Sequence, residues 1–104
     1  MDIEIIHMPG CPNLDLARAR LAAALEQTAT AAAVHEVVVA DPAEAGELGM
    51  RGSPTITIDG RDPFGQEATG GSLSCRLYWS GGTSDGAPRV AELIEAIAAA
   101  QSSL

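Results

Sequence analysis

The sequence predicts an α/β domain in the order β-α-β-α-β-β-α, with a four-stranded mixed sheet and helices on both faces. Three observations predict it: β-branched runs alternate with stretches of helical periodicity, turn residues punctuate the junctions, and 104 residues leave room for one core. Residues 1–104 therefore read as a single domain.

The elements follow in order. "IEIIH" (Ile3–His7) reads as a short strand that ends at the turn signal Pro9–Gly10. A helix follows, with Leu14, Ala17, Leu21, Ala24, Leu25 and Thr28 recurring at three- and four-residue steps. "VHEVVVA" (Val34–Ala40) is β-branched and predicts the second strand. "DPAEAGELG" predicts a miniature helix: Asp41 suits the N-cap, Pro42 the first helical position, Glu44 completes a capping box, and Gly49 supplies the stop.

"TITID" (Thr55–Asp59) predicts a third strand, and Asp59–Gly60 a turn. Residues 61–73 read as an irregular loop pinned through Phe64. "CRLYW" (Cys75–Trp79) predicts the fourth strand, with Cys75, Leu77 and Trp79 on one face. A last helix starts near Pro88, its apolar stripe carried by Val90, Leu93, Ile94, Ile97 and Ala98. A strand–helix–strand opening calls for a right-handed crossover and a parallel pair, whereas two strands joined without a helix pair antiparallel.

Composition narrows the function classes. The net charge is −8 and no residue is a lysine, so nucleic acid and anionic membrane surfaces are poor partners. No apolar run approaches the ~20 residues of a membrane span. The opening "MDIEII" carries acids where a secretory signal would be basic, which predicts a cytoplasmic protein with reduced thiols. Two cysteines, Cys11 and Cys75, cannot build a disulfide framework, and no Cys/His spacing suggests a metal site.

The element order, the cysteine after the first strand in "GCP", and "SPT" before the third strand together resemble the thioredoxin fold family. The fuller pattern "GCPN…GSPT…DGRDPF…LSCRLY" is similar to small bacterial thioredoxin-like proteins sometimes labelled alkylmercury lyases. The resemblance implies that Cys11 is the reactive thiol and that Pro54 is a cis-proline. It also implies that Ser53, before that proline, offers its backbone to an extended substrate, with Thr55 following at the same turn. "GGTSD" resembles the glycine-pair segment by which glutaredoxins hold glutathione, which makes Gly81, Gly82, Thr83 and Ser84 candidates for small-thiol binding.

The physical chemistry of Cys11 can be argued separately. A helix beginning at Pro12 would set the thiol beside unpaired N–H groups and the positive dipole end, which favours the reactive thiolate. Asn13 could itself be the cap, moving the helix start. Asp15 opposes the thiolate by like-charge repulsion, and His7 could serve as a proton partner.

Leu14 stands where a second motif cysteine would be, so no vicinal disulfide forms there. Cys75 is the other candidate thiol. At the start of a returning strand it would lie a strand's length from Cys11, ~15–20 Å away, whereas a disulfide needs Cα atoms within about 7 Å. On this reading Cys75 is buried and inert.

The expected function is thiol-dependent redox chemistry through a single motif cysteine. The protein would then be a thiol–disulfide oxidoreductase without bound cofactor or metal, taking glutathione or another small thiol as co-substrate and small or protein disulfides as partners. Two alternatives stay open: mercury or organomercurial handling through Cys11 and Cys75, and a non-catalytic thioredoxin-like binding domain.

Overall fold

The alternation of Ile3 and Ile5 with Glu4 builds the first strand, β1 (Asp2–His7), at the centre of a mixed three-stranded sheet. The computed structural model describes residues 1–64, 72–80 and 82–102. On one side β1 pairs in parallel with β2 (Ala33–Val38), in the register Ile5↔Glu36; on the other it pairs antiparallel with β4 (Thr55–Ile58), in the register Ile5↔Ile56. The crossover from β1 to β2 is the helix α1 (Leu14–Gln27), as the parallel pair requires.

Ile3, Ile5, Ile56 and Ile58 present one sheet face to Ala17, Leu21 and Ala24 of α1 and to Leu93 and Ile97 of α3 (Val90–Ser102). The fully buried side chains of this layer are aliphatic, at roughly 1.5–3 kcal/mol for each branched residue, and Phe64 packs against them. The predicted stripe of α3 holds at Val90, Leu93, Ile94 and Ile97, whereas Ala98 is exposed and Ala96 and Ala100 pack instead. Ile6 points to the opposite face, where it meets Val39, Met50 and Ala45 of the short α2 (Pro42–Glu47). Helices therefore flank both faces.

The predicted ends of α2 are present. The Asp41 carboxylate accepts the Ala43 N–H at 2.7 Å, and Pro42 opens the helix. Beyond the last turn, Gly49 donates to the carbonyl of Gly46 and Met50 to that of Ala45, the paired bonds of a Schellman stop. Among the described residues no helix is long and apolar enough to cross a membrane.

The expected fourth strand of the sheet requires correction. Cys75–Trp79 does not run as one strand: β5 (Ser72–Cys75) ends at the cysteine, Arg76 and Leu77 belong to no strand, and β6 (Tyr78–Ser80) begins afresh. A short strand before the proline, β3 (Arg51–Ser53), takes β5 as its parallel partner, and β6 forms a hairpin with β7 (Thr83–Asp85). Neither pair extends the three-stranded sheet among the described residues.

Cys75, Leu77 and Trp79 do share one face, and that face is the exposed one, so Cys75 is not buried, contrary to expectation. Arg76 and Tyr78 are 3% and 4% exposed, while Cys75, Leu77 and Trp79 face solvent. The physical reason is Arg76. Its Nη1 donates to Asp62 at 2.6 Å and its Nη2 to the Phe64 carbonyl at 2.9 Å, so the guanidinium is anchored inward and the apolar residues beside it turn outward. Most of the loop predicted over residues 61–73 lies outside the described residues.

Candidate functional site

The candidate site is the place where the β1–α1 turn meets the Ser53–Pro54 turn. Pro9 and Gly10 occupy the centre of a tight turn in which the Cys11 N–H donates to the Met8 carbonyl at 3.3 Å. Gly10 has φ +68°, so the pair carries the signature of a type II turn, with proline first and a left-handed glycine second. A second turn follows at once, closed by the Leu14 N–H on the Cys11 carbonyl at 3.4 Å. Cys11 thus joins two consecutive turns ahead of the helix and is half-buried.

The structure corrects the helix start. The cap is Asn13, whose carbonyl accepts the Ala17 N–H at 3.0 Å, and Pro12 precedes the helix instead of opening it. The Asn13 side chain makes no capping bond. It lies against Gly86, so closely that a Cβ there would fall 2.4 Å from the amide carbon. Any larger residue there requires the Asn13 side chain to move aside. Nearby, Arg20 reaches Asp85 at 3.0 Å and the Ala87 carbonyl at 3.0 Å, which fastens this segment to α1. Arg20 and the Gly86 N–H hold the Asp85 carboxyl below the usual carboxylate range.

The Ser53–Pro54 peptide is cis, and Ser53, Pro54 and Thr55 are all fully buried. Both hydroxyls and the Ser53 and Pro54 carbonyls have partners. Ser53 Oγ accepts the Met8 N–H at 3.0 Å, tying this turn to the one that carries Cys11. Thr55 Oγ1 donates to the Gly52 carbonyl at 2.6 Å and accepts the Arg51 N–H at 3.0 Å, clasping the two sides of the turn. The Tyr78 hydroxyl donates to the Pro54 carbonyl. Burial pushes the Tyr78 phenol well above its ordinary range; Arg76 opposes the shift, and negative charge on Asp62 and Cys11 adds to it. The phenol therefore stays a donor at neutral pH, and the Cys11 thiol lies within electrostatic reach of it.

Two expectations about this turn change. Ser53 does not present its carbonyl to an incoming chain, because that oxygen already accepts the Arg76 N–H at 3.0 Å. The chain's own β5 occupies the edge, with Cys75 in register with Ser53. Consequently Cys75 is not buried. It is exposed, and it lies beside the residue that contacts the Cys11 turn. The earlier placement assumed that the strand returns antiparallel, whereas β5 runs parallel to β3 and ends where β3 ends.

The remaining candidates sort plainly. His7 Nδ1 lies 3.1 Å from the Met8 carbonyl; a carbonyl only accepts, so that nitrogen carries the hydrogen. Asp15 pairs with Arg18 at 2.8 Å on the surface, and Arg18 also holds Glu36. The predicted glutathione segment is a hairpin: Gly82 takes φ +84° at its tip, while Thr83 and Ser84 pair with Ser80 and Trp79. Thr83 Oγ1 accepts from Arg89 at 2.9 Å. Gly81 lies outside the described residues. No group of three or more His, Cys, Asp or Glu that could hold a metal occurs among the described residues.

Sequence reasoning missed Arg76, Asp62 and Tyr78. Arg76 and Asp62 form a buried ion pair at 2.6 Å, and the guanidinium carbon stands 4.4 Å from the centre of the Tyr78 ring. Phe64 packs edge-on against the same ring, with centroids 5.7 Å apart. The only signal available was the alternation in "CRLYW", which fixes a period but not which set of residues points inward. Comparison with family models, with curated proteins and with solved structures finds no match to this chain.

Proposed function

We propose that this protein is a thiol–disulfide exchange protein on a thioredoxin-like layout, with Cys11 as its nucleophile. One observation supports this above the others: a half-buried cysteine at a strand–helix turn, whose backbone N–H donates to the Met8 carbonyl while the Met8 N–H donates to Ser53 Oγ of the buried Ser53–Pro54 turn. The turns fix the backbone on both sides of the sulfur, so the thiol is held in place while remaining open to a small disulfide. The substrate is then a low-molecular-weight or protein disulfide, glutathione or another small thiol is the reductant, and the cytoplasm is the compartment where such thiols are abundant.

A second reading draws on the position of Cys75. Cys75 pairs with Ser53, which contacts the turn of Cys11, and soft thiolate donors suit a soft metal such as mercury. One experiment addresses both readings. The reduced protein is exposed separately to oxidised glutathione and to mercuric ion, and the adducts are mapped by mass spectrometry. Exchange predicts a glutathione mixed disulfide that forms first at Cys11 and is lost in Cys11→Ser. Modification of Cys75 alone, with Cys11 inert in the folded protein, overturns the assignment. A single mercuric ion whose retention needs both cysteines supports the metal reading, and retention unchanged in either serine variant sinks it.

A further inference from the structure

We propose that Cys75 is the resolving thiol, closing an intramolecular disulfide with Cys11; this role rests on Cys11 being the nucleophile. Leu14 removes the usual place for a second cysteine, and the topology supplies one from elsewhere in the chain. β5 delivers Cys75 into register with Ser53, and the next residue, Arg76, donates its N–H to the Ser53 carbonyl at 3.0 Å. Cys75 is thereby held at the level of the proline turn. On its other side Ser53 Oγ accepts from Met8 at 3.0 Å, and Met8 in turn accepts from Cys11 at 3.3 Å. Ser53 is the shared neighbour: it pairs with Cys75 across the ladder and contacts the turn that carries Cys11.

Both thiols are free, Cys75 is exposed and Cys11 is half-buried, so each is open to exchange. The β3–β5 ladder also leaves room for adjustment. Among the described residues its register pairs Arg51 with Ser72 and Ser53 with Cys75, with an irregularity between them. No regular strand follows before Tyr78. The segment is anchored just after Cys75, by the Arg76 N–H on the Ser53 carbonyl, the Arg76 guanidinium and the Tyr78 hydroxyl, so closing the disulfide is a movement of the end of β5 itself.

The chemistry balances without a cofactor. The Cys11 thiolate attacks one sulfur of a disulfide RS–SR′; the S–S bond breaks and R′S⁻ leaves. The Cys75 thiol gives its proton to solvent and attacks the Cys11 sulfur, expelling RS⁻. The protein has lost two electrons and two protons, the substrate has become two thiols, and a Cys11–Cys75 disulfide remains. Two molecules of a small thiol such as glutathione reverse the oxidation and leave as their own disulfide.

The test uses oxidised glutathione with the full chain, followed over time by mass spectrometry under non-reducing conditions. Wild type should pass through a glutathione adduct and finish as an adduct-free monomer two hydrogens lighter than the reduced form. Cys75→Ser and Cys75→Ala should each stop at a persistent Cys11 adduct, with circular dichroism showing both folded. A wild-type adduct as persistent as that of the two variants, or a cross-link only between chains, overturns the role of Cys75 and leaves Cys11 as nucleophile. Failure of Cys11 to react in wild type and in the Cys75 variants alike overturns the exchange reading itself, so the two failures are distinguishable.

Discussion

Two buried regions of this protein are built on opposite principles. Between the three-stranded sheet and α1 and α3, the contacts are aliphatic: Ile3, Ile5, Leu21, Ile56, Leu93 and Ile97. Around the Pro54 turn the buried groups are Ser53, Thr55, Arg76, Asp62 and Tyr78, each aimed at a particular partner. The first region gains stability from area removed from water, which is non-directional and tolerant of exchange. The second carries desolvation costs that only correctly placed partners offset. A region of the second kind holds a turn in one geometry, and here that turn abuts the candidate thiols.

If this contrast is right, the largest loss should come from breaking the directional region at its charge pair. Asp62→Ala leaves the Arg76 guanidinium buried without its carboxylate, at a cost of about 3–5 kcal/mol in urea unfolding. Arg76 is 2% exposed and Asp62 8% by side chain, so neither charge is covered by solvent once its partner is gone. The outcome that would erase the contrast is a loss below about 1 kcal/mol, the range of surface pairs.

In the aliphatic region, Leu93→Ala should cost about 2–5 kcal/mol through lost transfer energy and a residual cavity. Leu93→Met should cost under about 1.5 kcal/mol, because volume is nearly conserved. Denaturant midpoints of the two variants sharpen the comparison, since no equally mild replacement exists for Asp62. Equal losses for Ala and Met would mean that position 93 depends on shape and not on buried area.

The same contrast explains how much of the protein was legible in its sequence. Ala17, Leu21 and Ala24 repeat at helical spacing and are buried, and Asp41 with Pro42 starts α2, because these features depend on residues a few positions apart. The strands of the sheet were legible for the same reason. Arg76 was not: an arginine in a strand-like run reads as solvated until Asp62, fourteen positions away, is known to face it. Once Arg76 turns inward, Leu77 and Trp79 turn outward, at 50% and 57% exposure, against their hydrophobicity. The position of Cys75 was hidden by one choice of strand direction, which no local pattern encodes. At the site, Cys11 and Pro54 were legible from "GCP" and "SPT", while their tie through Ser53 Oγ and Met8 is a contact across 45 positions.

The smallest effect, and the most selective, concerns Tyr78. Tyr78→Phe removes the donor to the Pro54 carbonyl and should cost about 1 kcal/mol at neutral pH. Its pH dependence is the sharper readout. Burial raises the phenol in the folded protein, whereas in the unfolded chain it ionises near its ordinary value, about 10. Above that pH the unfolded state binds fewer protons than the folded state, so stability falls as pH rises. The contribution is fully present below about pH 10 and is lost above it. Few other groups interfere, because the sequence has one tyrosine and no lysine. Wild type should therefore lose stability steadily between about pH 10 and 12, and Tyr78→Phe should be nearly flat there, so that the two curves converge. Parallel curves across that range would show that the phenol is as well solvated in the fold as outside it, and the directional region would lose one of its members.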